Sequence, residues 1–335
     1  MNREALRVGI IGCGALAQSV HIPLLSRMDG AELTGIADNH PQVLRNAGNA
    51  VPPTRQFSDG LALIKSGTVD AVVIATPASS HSWFAIAAFD HGISVYLEKP
   101  IATDIADGLA ILESWKKSGR TGMIGFNYRF NPLYAALRQA AASQEILSTD
   151  SVFRIPRTLD MGWRAERSSG GGALLDLASH HIDLTRFVTG DEIREVSAVL
   201  RSHRSEQDSA TLKCITRQGI DSRIQAEYGD NFEHTFKVST RHSTFSIDLA
   251  RSHKVDRLSR LNRFPSPARL LHIYRKFRSP ALEPSYKPAL RAFVDAARNH
   301  SSVEPDMNDG FMTLQVTSAA EESASSGSPV AMQSA

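Results

Sequence analysis

An apolar run that ends in closely spaced glycines stands near the start of the chain. It reads Arg7-Val-Gly-Ile-Ile-Gly12-Cys-Gly14-Ala-Leu-Ala17, a strand that passes into a tight turn and then into a helical pattern. The first glycine permits the turn, the second admits a pyrophosphate close to the backbone, and the small third residue lets the helix pack on the strand. The run therefore predicts a strand–turn–helix unit that binds a dinucleotide. We expect the contacts at Gly12, Gly14, Ala15, Leu16 and Ala17.

Strands and helices continue to alternate as far as residue 126, which favours a parallel sheet covered on both faces. The expected strands are Val8–Gly12, Glu32–Asp38, Ala71–Thr76, Ser94–Leu97 and Met123–Phe126. Beyond this point short β-branched or alternating runs predominate, and they favour a mostly antiparallel sheet with one exposed face. The sequence therefore predicts an α/β protein with a Rossmann domain at residues 1–126. A second domain, at residues 127–335, is expected to carry the open antiparallel sheet.

Length and composition exclude several classes of protein. The 335 residues are 42% hydrophobic and 21% charged, which is ordinary for a globular chain of two domains. A formal net charge of +2 gives no reason to expect a nucleic-acid partner. The two cysteines are too few for a disulfide framework, and no signal peptide or membrane span is apparent. We expect a cytoplasmic enzyme without a metal site.

The second expected strand ends in Asp38, at the position where a carboxylate can accept hydrogen bonds from the ribose hydroxyls of NAD. Neither Arg nor Lys directly follows it, so the sequence favours NAD over NADP. The alternative is that Asp38 caps the next helix. Thr76 and Pro77, at the end of the third strand, are expected beside the nicotinamide ribose, although an ordinary turn would also explain them. His81 is either a further cofactor contact or a solvated helix residue.

A helical pattern after Gly170-Gly-Gly places Asp176, His180 and Asp183 at i, i+4 and i+7, which stacks them on one helix face. An imidazole titrates near neutral pH, and a carboxylate one turn away can orient it. Such a pair suits removal of a proton from an alcohol, although most pairs of this spacing are surface pairs. The glycines are expected to let the backbone pass close to a ligand. His181 is expected on another face of the helix.

The chain resembles the glucose–fructose oxidoreductase / inositol dehydrogenase / MocA family over nearly its full length. The matching motifs, in order, are Gly12-Cys-Gly14-Ala-Leu-Ala17, Val73-Ile-Ala-Thr-Pro77, Glu98-Lys99-Pro100, Gly125-Phe-Asn-Tyr-Arg129-Phe-Asn131-Pro132, Gly170-Gly-Gly-Ala-Leu-Leu-Asp176-Leu-Ala-Ser-His180 and Asp309-Gly310. One departure is Ala178, where the family usually has glycine. The resemblance implies a Rossmann domain followed by an α/β domain whose open sheet often mediates oligomerisation, so we expect a homo-oligomer, either a dimer or a tetramer.

The resemblance also implies roles for individual residues. Lys99 would lie near the reacting carbinol and favour its alkoxide-like transition state, and Pro100 would follow it through a cis peptide bond. Lys99 and Glu98 are further expected at the cofactor. His180 would be the general acid–base, with Asp176 as its partner or as a contact of the substrate.

Four more residues are expected at the substrate, namely Arg129, Asn131, Trp163 and Arg164. Arg129 and Asn131 would hydrogen-bond sugar hydroxyls, with an inter-domain salt bridge as the alternative for Arg129. Trp163 and Arg164 would cover a sugar ring, with an apolar contact inside the second domain as the alternative for Trp163.

A basic stretch, Arg251–Arg278, contains many lysines and arginines and one acid, Asp256. Four interpretations of this stretch remain open. It is a solvated connection, a site for a phosphorylated or nucleotide-linked sugar, an oligomer contact or a contact with an acidic membrane surface. Membrane contact is the least favoured of these.

The combined motifs predict an NAD(P)-dependent oxidoreductase that acts on a secondary alcohol of a sugar, a sugar derivative or a cyclitol. One alternative is an NAD-dependent glycosidase on the same fold. The other is a non-catalytic dinucleotide-binding regulator, which would have no need of Lys99, Asp176 or His180.

Overall fold

A parallel sheet of six strands, in the order β3-β2-β1-β4-β5-β6, forms the centre of one of the two units in the computed structural model. The strands are β1 (Leu6–Ile11), β2 (Ala31–Ala37), β3 (Gln56–Phe57), β4 (Ala71–Ile74), β5 (Ser94–Leu97) and β6 (Gly122–Ile124). All neighbouring pairs are parallel. Strands β4, β5 and β6 are buried along their whole length. The order reverses between β1 and β4, and in such sheets ligands bind where the strand order reverses.

Helices connect these strands, and local side chains fix where several of them begin and end. They are α1 (Ile22–Leu25), α2 (Pro41–Ala47), α3 (Gly60–Lys65), α4 (His81–Asp90) and α5 (Ile105–Ser118), with α8 (Tyr286–Asn299) returning from late in the sequence. Helix α5 begins where the Asp104 carboxylate accepts a hydrogen bond from the Asp107 amide at 2.9 Å. It ends at Gly119, which adopts a φ of +63° as a left-handed C-cap.

The second unit is built on an eight-stranded sheet in the order β13-β12-β11-β7-β10-β9-β8-β14. Its strands are β7 (Ile146–Pro156), β8 (Ile193–Arg201), β9 (Ser209–Thr216), β10 (Asp221–Gly229), β11 (Glu233–Thr240), β12 (Thr244–Asp248), β13 (Asp256–Arg257) and β14 (Val330–Ala331). Every neighbouring pair is antiparallel except β7 and β10, which run parallel. The prediction of a Rossmann domain followed by a mostly antiparallel sheet is therefore confirmed.

One face of the second sheet is covered by helices α6 (Pro132–Ala141), α7 (Ser179–Thr189) and most of α9 (Met307–Ser326). Side chains along β9 alternate between buried and exposed, as in a sheet that is covered on one side. Inward-facing Leu212 and Ile224 share a buried cluster with Ile182 of α7 and Val316 of α9. This packing fixes α7, which carries the expected general acid–base, on the covered face of the sheet.

The structure describes residues 4–157, 161–249, 256–257 and 283–332. One unit comprises Met1–Asn127 and Ser279–Phe311, and the other comprises Tyr128–Arg278 and Met312–Ala335. Part of the later sequence, Ser279–Phe311, thus belongs to the first unit. Phe293 of α8 packs edge-on against Tyr96 with 5.7 Å between ring centroids. Among the described helices, none combines the length and the apolarity needed to cross a membrane.

Candidate active site

The first two glycines of the turn after β1 have different structural roles. Gly12 has a φ of +90°, and a Cβ there would lie 2.7 Å from the backbone of Ala75. Among the described residues, no atom lies within 4 Å of the position that a Cβ on Gly14 would take. Gly12 is thus required by the turn and by the strand beside it, whereas Gly14 leaves open space above the backbone. That space fits the close approach of a pyrophosphate.

Asp38 follows β2, and its carboxylate is fixed beside the glycine turn. Oδ2 accepts a hydrogen bond from the Cys13 amide at 2.8 Å, and Oδ1 accepts one from the His40 amide at 2.8 Å. Each oxygen keeps a further lone pair, so the carboxylate can also receive ribose hydroxyls. The Asp38–His40 bond shows that a local turn role and a ligand role are compatible.

Cys13, inside the turn, is a structural thiol. Its side chain is buried, and burial together with the Asp38 charge raises its pKa to about 12. The thiolate that a nucleophile or metal ligand would need is therefore disfavoured. The residues of this turn are suited to holding a dinucleotide and not to covalent chemistry.

Strand β5 is followed directly by Glu98-Lys99-Pro100, and the Lys99–Pro100 peptide bond is cis, as the resemblance implied. The Glu98 side chain is buried, and its Oε1 lies 2.9 Å from Nε2 of His21. No sequence pattern singles out His21, because it is far from Glu98 along the chain. Glu98 was expected at the cofactor, and the buried contact with His21 adds a structural task.

His81 joins the ends of two strand segments. Its Nδ1 lies 2.8 Å from the Pro100 carbonyl oxygen, and its Nε2 lies 3.0 Å from the Thr76 carbonyl oxygen. The ring is 1% exposed, so the alternative of a solvated helix residue is wrong. Burial is the main reason why its pKa is lowered. A neutral imidazole carries one N–H, so it donates to one of these carbonyl oxygens, and the other oxygen lies at contact distance. The ring thus lies between Thr76 and the Glu98–Pro100 segment.

In the second unit, the triple glycine allows the chain to pack against itself. Gly170 and Gly172 have φ values of +92° and +85°, and a Cβ on Gly171 would lie 2.5 Å from the Trp163 carbonyl oxygen. The expectation that these glycines make room for a ligand therefore needs correction at Gly171, where a neighbouring backbone occupies the space. The close approach brings the Trp163–Arg164 segment beside the turn that precedes α7.

Asp176 lies in a single π-helical turn, Leu174–Ala178, immediately before α7. The turn is closed by a hydrogen bond from the Ser179 amide to the Leu174 carbonyl, five residues back. The prediction from i, i+4 and i+7 spacing assumes an uninterrupted α-helix, whereas Asp176 lies in a wider π turn that precedes α7. Single π turns of this kind are common at functional sites.

The Asp176 carboxylate is buried and is held by two side chains. Its Oδ2 accepts a hydrogen bond from the Tyr228 hydroxyl at 2.7 Å and one from Arg164 Nε at 3.1 Å. Burial, followed by the Asp176 charge, raises the pKa of Tyr228, so the hydroxyl remains a donor. The contact of Tyr228 with Asp176 is not predictable from the sequence, because it depends on how β10 pairs with the rest of the sheet. The position of Tyr228 at the end of an alternating strand was the only available signal.

His180 and His181 occupy different surroundings on α7. The His180 ring contacts the Tyr128 ring, with 4.9 Å between centroids and an interplanar angle of 64°. His181 is fully buried and stacks on Phe153 at 5.4 Å. Burial lowers the pKa of His181 to about 3. His181 is therefore a neutral core residue, consistent with its expected position on another helix face.

Arg129 and Asn131 have structural partners inside the second unit. Arg129 donates to both carboxylate oxygens of Asp183, at 3.0 and 2.6 Å, and Asp183 is only 1% exposed. Asn131 accepts a hydrogen bond from the Leu133 amide at 2.9 Å and thereby caps α6. The salt-bridge alternative for Arg129 describes the structure better than a substrate contact, although the bridge is not inter-domain.

Trp163 lies under the guanidinium of Arg164, whose central carbon is 4.7 Å from the ring centroid. Trp163 is half-buried and Arg164 is exposed. The expected contact of both with a sugar ring stays a prediction. The basic stretch Arg251–Arg278 lies outside the described residues, apart from the backbone of β13.

Comparisons with known proteins agree with this geometry. A family model described as "Oxidoreductase family, NAD-binding Rossmann fold" matches residues 6–126, and one for the GFO/IDH/MocA C-terminal domain matches residues 134–249. The inositol 2-dehydrogenase of Acidothermus cellulolyticus is 30% identical over 248 residues, which cover 70% of this chain and 69% of that protein. The myo-inositol 2-dehydrogenase of Thermotoga maritima is 27% identical over 342 residues, covering 95% and 96% of the two chains.

A solved structure extends the likeness of the fold to the whole chain. The WlbA dehydrogenase of Bordetella pertussis, crystallised with NADH and UDP-GlcNAcA, superposes with a TM-score of 0.84 at 24% identity, and the match covers 100% of each chain. Together with the two family models, these likenesses establish that the chain belongs to the GFO/IDH/MocA oxidoreductase family, with an NAD-binding Rossmann fold as its first domain.

Proposed function

We propose that the protein is an NAD-dependent dehydrogenase or reductase that acts on a secondary alcohol of a sugar, a sugar derivative or a cyclitol. Nucleotide-linked sugars are included. The observation that carries this proposal is the anchored Asp38 carboxylate beside the open backbone of Gly14. A second observation supports the proposed proton transfer. Asp176 is buried just before the helix that bears His180, and Tyr228 and Arg164 donate hydrogen bonds to its carboxylate.

The backbone from Gly12 to Ala17 would hold the pyrophosphate, and Asp38 would accept the ribose hydroxyls. The fixed negative charge of Asp38 repels a 2′-phosphate, which supports a preference for NAD over NADP. When bound, NAD supplies an acceptor for the hydride that leaves the carbinol carbon. All other tasks belong to the side chains of the chain itself.

Two side chains are proposed to act on the hydroxyl that is oxidised. The ammonium of Lys99 stabilises negative charge as it develops on the carbinol oxygen. The imidazole of His180 removes the hydroxyl proton during oxidation and returns it during reduction. Asp176 orients a neighbouring substrate hydroxyl or the imidazole itself, and its bonds to Tyr228 and Arg164 hold its carboxylate in one place.

The substrate class is supported by the printed names of the relatives. Two of them are named for the oxidation of inositol, and the WlbA structure contains a nucleotide-linked sugar acid. The exposed Arg164 contacts Asp176 and Trp163, which places a guanidinium, a group that donates to hydroxyls and carboxylates, beside the proposed substrate contact. Sugars, inositols and nucleotide-linked sugar acids are therefore the compounds to test first.

A spectrophotometric screen tests the proposal. Myo-inositol, a set of aldoses and UDP-sugars are incubated with NAD, and NADH is followed by absorbance. Lys99→Ala and His180→Ala should each lower turnover by about 100-fold or more, whereas exposed Lys116→Ala should leave it unchanged. Absence of NADH formation with every compound, under conditions where NADH binds, would favour a regulator. Release of an aglycone without net NADH would favour the glycosidase.

The cofactor preference has its own test. Asp38→Ser removes the charge that repels a 2′-phosphate, so the ratio of the NADP and NAD dissociation constants should fall. Titrations with the reduced coenzymes NADH and NADPH, whose nicotinamide rings are fluorescent, measure this preference. Tighter binding of NADP than of NAD by the unaltered protein would overturn the assignment.

We also propose a cellular compartment and an oligomeric state for the protein. Both cysteines are free and buried, which supports a reducing compartment such as the cytoplasm. The exposed Val199 on β8 and Leu147 on β7 support burial of part of the second sheet in a homo-oligomer. Light scattering of the purified protein would decide between a monomer, a dimer and a tetramer.

A further inference from the structure

Two buried histidines flank Lys99, one through the residue before it and one through the residue after it. His21 is fully buried, and its Nε2 lies 2.9 Å from Oε1 of Glu98. His81 is 1% exposed, and its Nδ1 lies 2.8 Å from the carbonyl oxygen of Pro100. Neither imidazole transfers a proton or stabilises a charge in the proposed reaction. Both nevertheless contact the residues next to Lys99, which the reaction requires.

Each histidine belongs to a segment that is expected to contact the cofactor. His21 ends the π-helical turn Ala17–His21, which continues directly from the glycine turn and is closed by a bond from the Ile22 amide to the Ala17 carbonyl. His81 begins α4, and its second ring nitrogen lies 3.0 Å from the carbonyl oxygen of Thr76. The two imidazoles thus link the pyrophosphate and ribose segments to the two neighbours of Lys99.

The Glu98 side chain has little room to move away from His21. A Cβ on Gly125 would lie 2.7 Å from Oε2 of Glu98, so the backbone at the end of β6 lies directly against the carboxylate. The other side of His21 is enclosed by the edges of two rings, those of Tyr96 at 5.9 Å and Tyr286 at 6.2 Å. The position of Glu98, and with it the backbone that leads to Lys99, therefore depends on the His21 contact.

We propose that His21 and His81 are positioning residues that fix the backbone on both sides of Lys99 and connect it to the cofactor-binding segments. This inference rests on the proposed role of Lys99. A lysine side chain is flexible, so its ammonium is placed reliably only when the backbone that carries it is held. An error of about 1 Å in the position of a catalytic group can cost about 100-fold in rate.

Amide isosteres separate the individual contacts, because asparagine places its N–H₂ near the Nδ1 position of histidine and glutamine places it near the Nε2 position. His21→Gln retains a donor towards Glu98, whereas His21→Leu removes it. His81→Asn retains a donor towards Pro100, and His81→Gln retains one towards Thr76 alone. Tyr96→Phe is the matched control, since its buried hydroxyl has no hydrogen-bond partner within the described residues and the change leaves both contacts intact.

The first measurement is the kinetics of the variants with the member of the substrate panel that is oxidised fastest. His21→Leu and His81→Gln should lower kcat by about 10-fold or more. The dissociation constant for NADH should change much less, and Tyr96→Phe should resemble the unaltered protein. His21→Gln and His81→Asn should recover most of the lost kcat. Equal activity of His81→Asn and His81→Gln, or an unchanged kcat in both His21 variants, would overturn the proposal.

The second measurement requires no substrate. Trace acetylation of the folded protein, read by mass spectrometry of individual peptides, gives the reactivity of Lys99 relative to that of exposed Lys116. This ratio should change in His21→Leu and His81→Gln and return in the isosteres that keep the relevant donor. An unchanged ratio in all variants with normal melting temperatures would refute the positioning role. If His21→Leu fails to fold, the His81 pair still decides the question.

The same experiments distinguish this inference from the proposed function. If Lys99→Ala abolishes turnover and the histidine variants do not lower it, the lysine role stands and the positioning role fails. If Lys99→Ala leaves turnover intact, the lysine role fails. A change of acetylation ratio would then still show that His21 and His81 control the position of Lys99.

Discussion

Replacement of His181 by leucine should make the second unit less sensitive to acid. The imidazole is fully buried, stacks on Phe153 and lies 5.0 Å from the ring of His234. Within the described residues neither of its nitrogens has a hydrogen-bond partner. Leucine has a similar volume and no polar atoms, so it fits the same apolar surroundings without the cost of an unsatisfied nitrogen.

The magnitude follows from proton linkage. The pKa of His181 is lowered from 6.5 to about 3, so between these values the unfolded chain binds a proton that the folded chain does not. Stability therefore falls as the pH falls below 6.5. Between pH 7 and pH 5 the loss from this one residue is about 2 kcal/mol. His181→Leu should abolish this part of the pH dependence and leave the contributions of all other groups in place.

Urea unfolding at pH 7 and pH 5 measures the effect. Because the two units can unfold separately, Trp83→Phe and Trp115→Phe are introduced into both proteins, which leaves Trp163 as the fluorescent reporter of the second unit. The unaltered His181 protein should lose about 2 kcal/mol more between the two pH values than the leucine variant. If both proteins lose the same unfolding free energy between the two pH values, within about 0.5 kcal/mol, the pKa of His181 is not lowered in the folded protein and the reasoning is refuted.

Three further outcomes follow from contacts in the two units. Gly14→Ala should leave the melting temperature unchanged and weaken NADH binding. Gly12→Ala should lower the unfolding free energy by about 1–3 kcal/mol or more. The reason is that alanine is unfavourable at the positive φ of Gly12 and its Cβ would meet backbone atoms. Arg129→Met should lower the unfolding free energy by about 1.5–3 kcal/mol, because the buried Asp183 carboxylate loses two charge-assisted hydrogen bonds while the Arg186 guanidinium stays 3.6 Å away. Asp183→Asn in the same chain should recover part of this loss, and an unchanged urea midpoint would contradict the reasoning. Tyr228→Phe should lower the unfolding free energy by about 1.5–3 kcal/mol, measured by urea titration, because a buried carboxylate loses a donor.

The sequence by itself determined the fold class, and it predicted the residues of the cofactor half of the site. Local signals were sufficient there, because the strand, the glycine turn and the helix are contiguous and the carboxylate of Asp38 follows the next strand directly. Period-2 alternation also indicated the strands of the second sheet, from β8 to β12. Short elements such as β3 (Gln56–Phe57) and α3 (Gly60–Lys65) were missed, since they are too short to show a period and form by packing on their neighbours.

Only the tertiary structure decided which polar groups meet. The partners of Asp176 come from a loop twelve residues before it and from a strand fifty-two residues after it, and no spacing rule connects them. The π turn at Leu174–Ala178 interrupts the regular helix that the i, i+4 and i+7 spacing assumes. His21 and His81 approach the Lys99 segment from two different helical elements. A sequence records which residues can carry charge or donate protons, but their partners depend on how distant segments pack, and that packing is set by burial over the whole core.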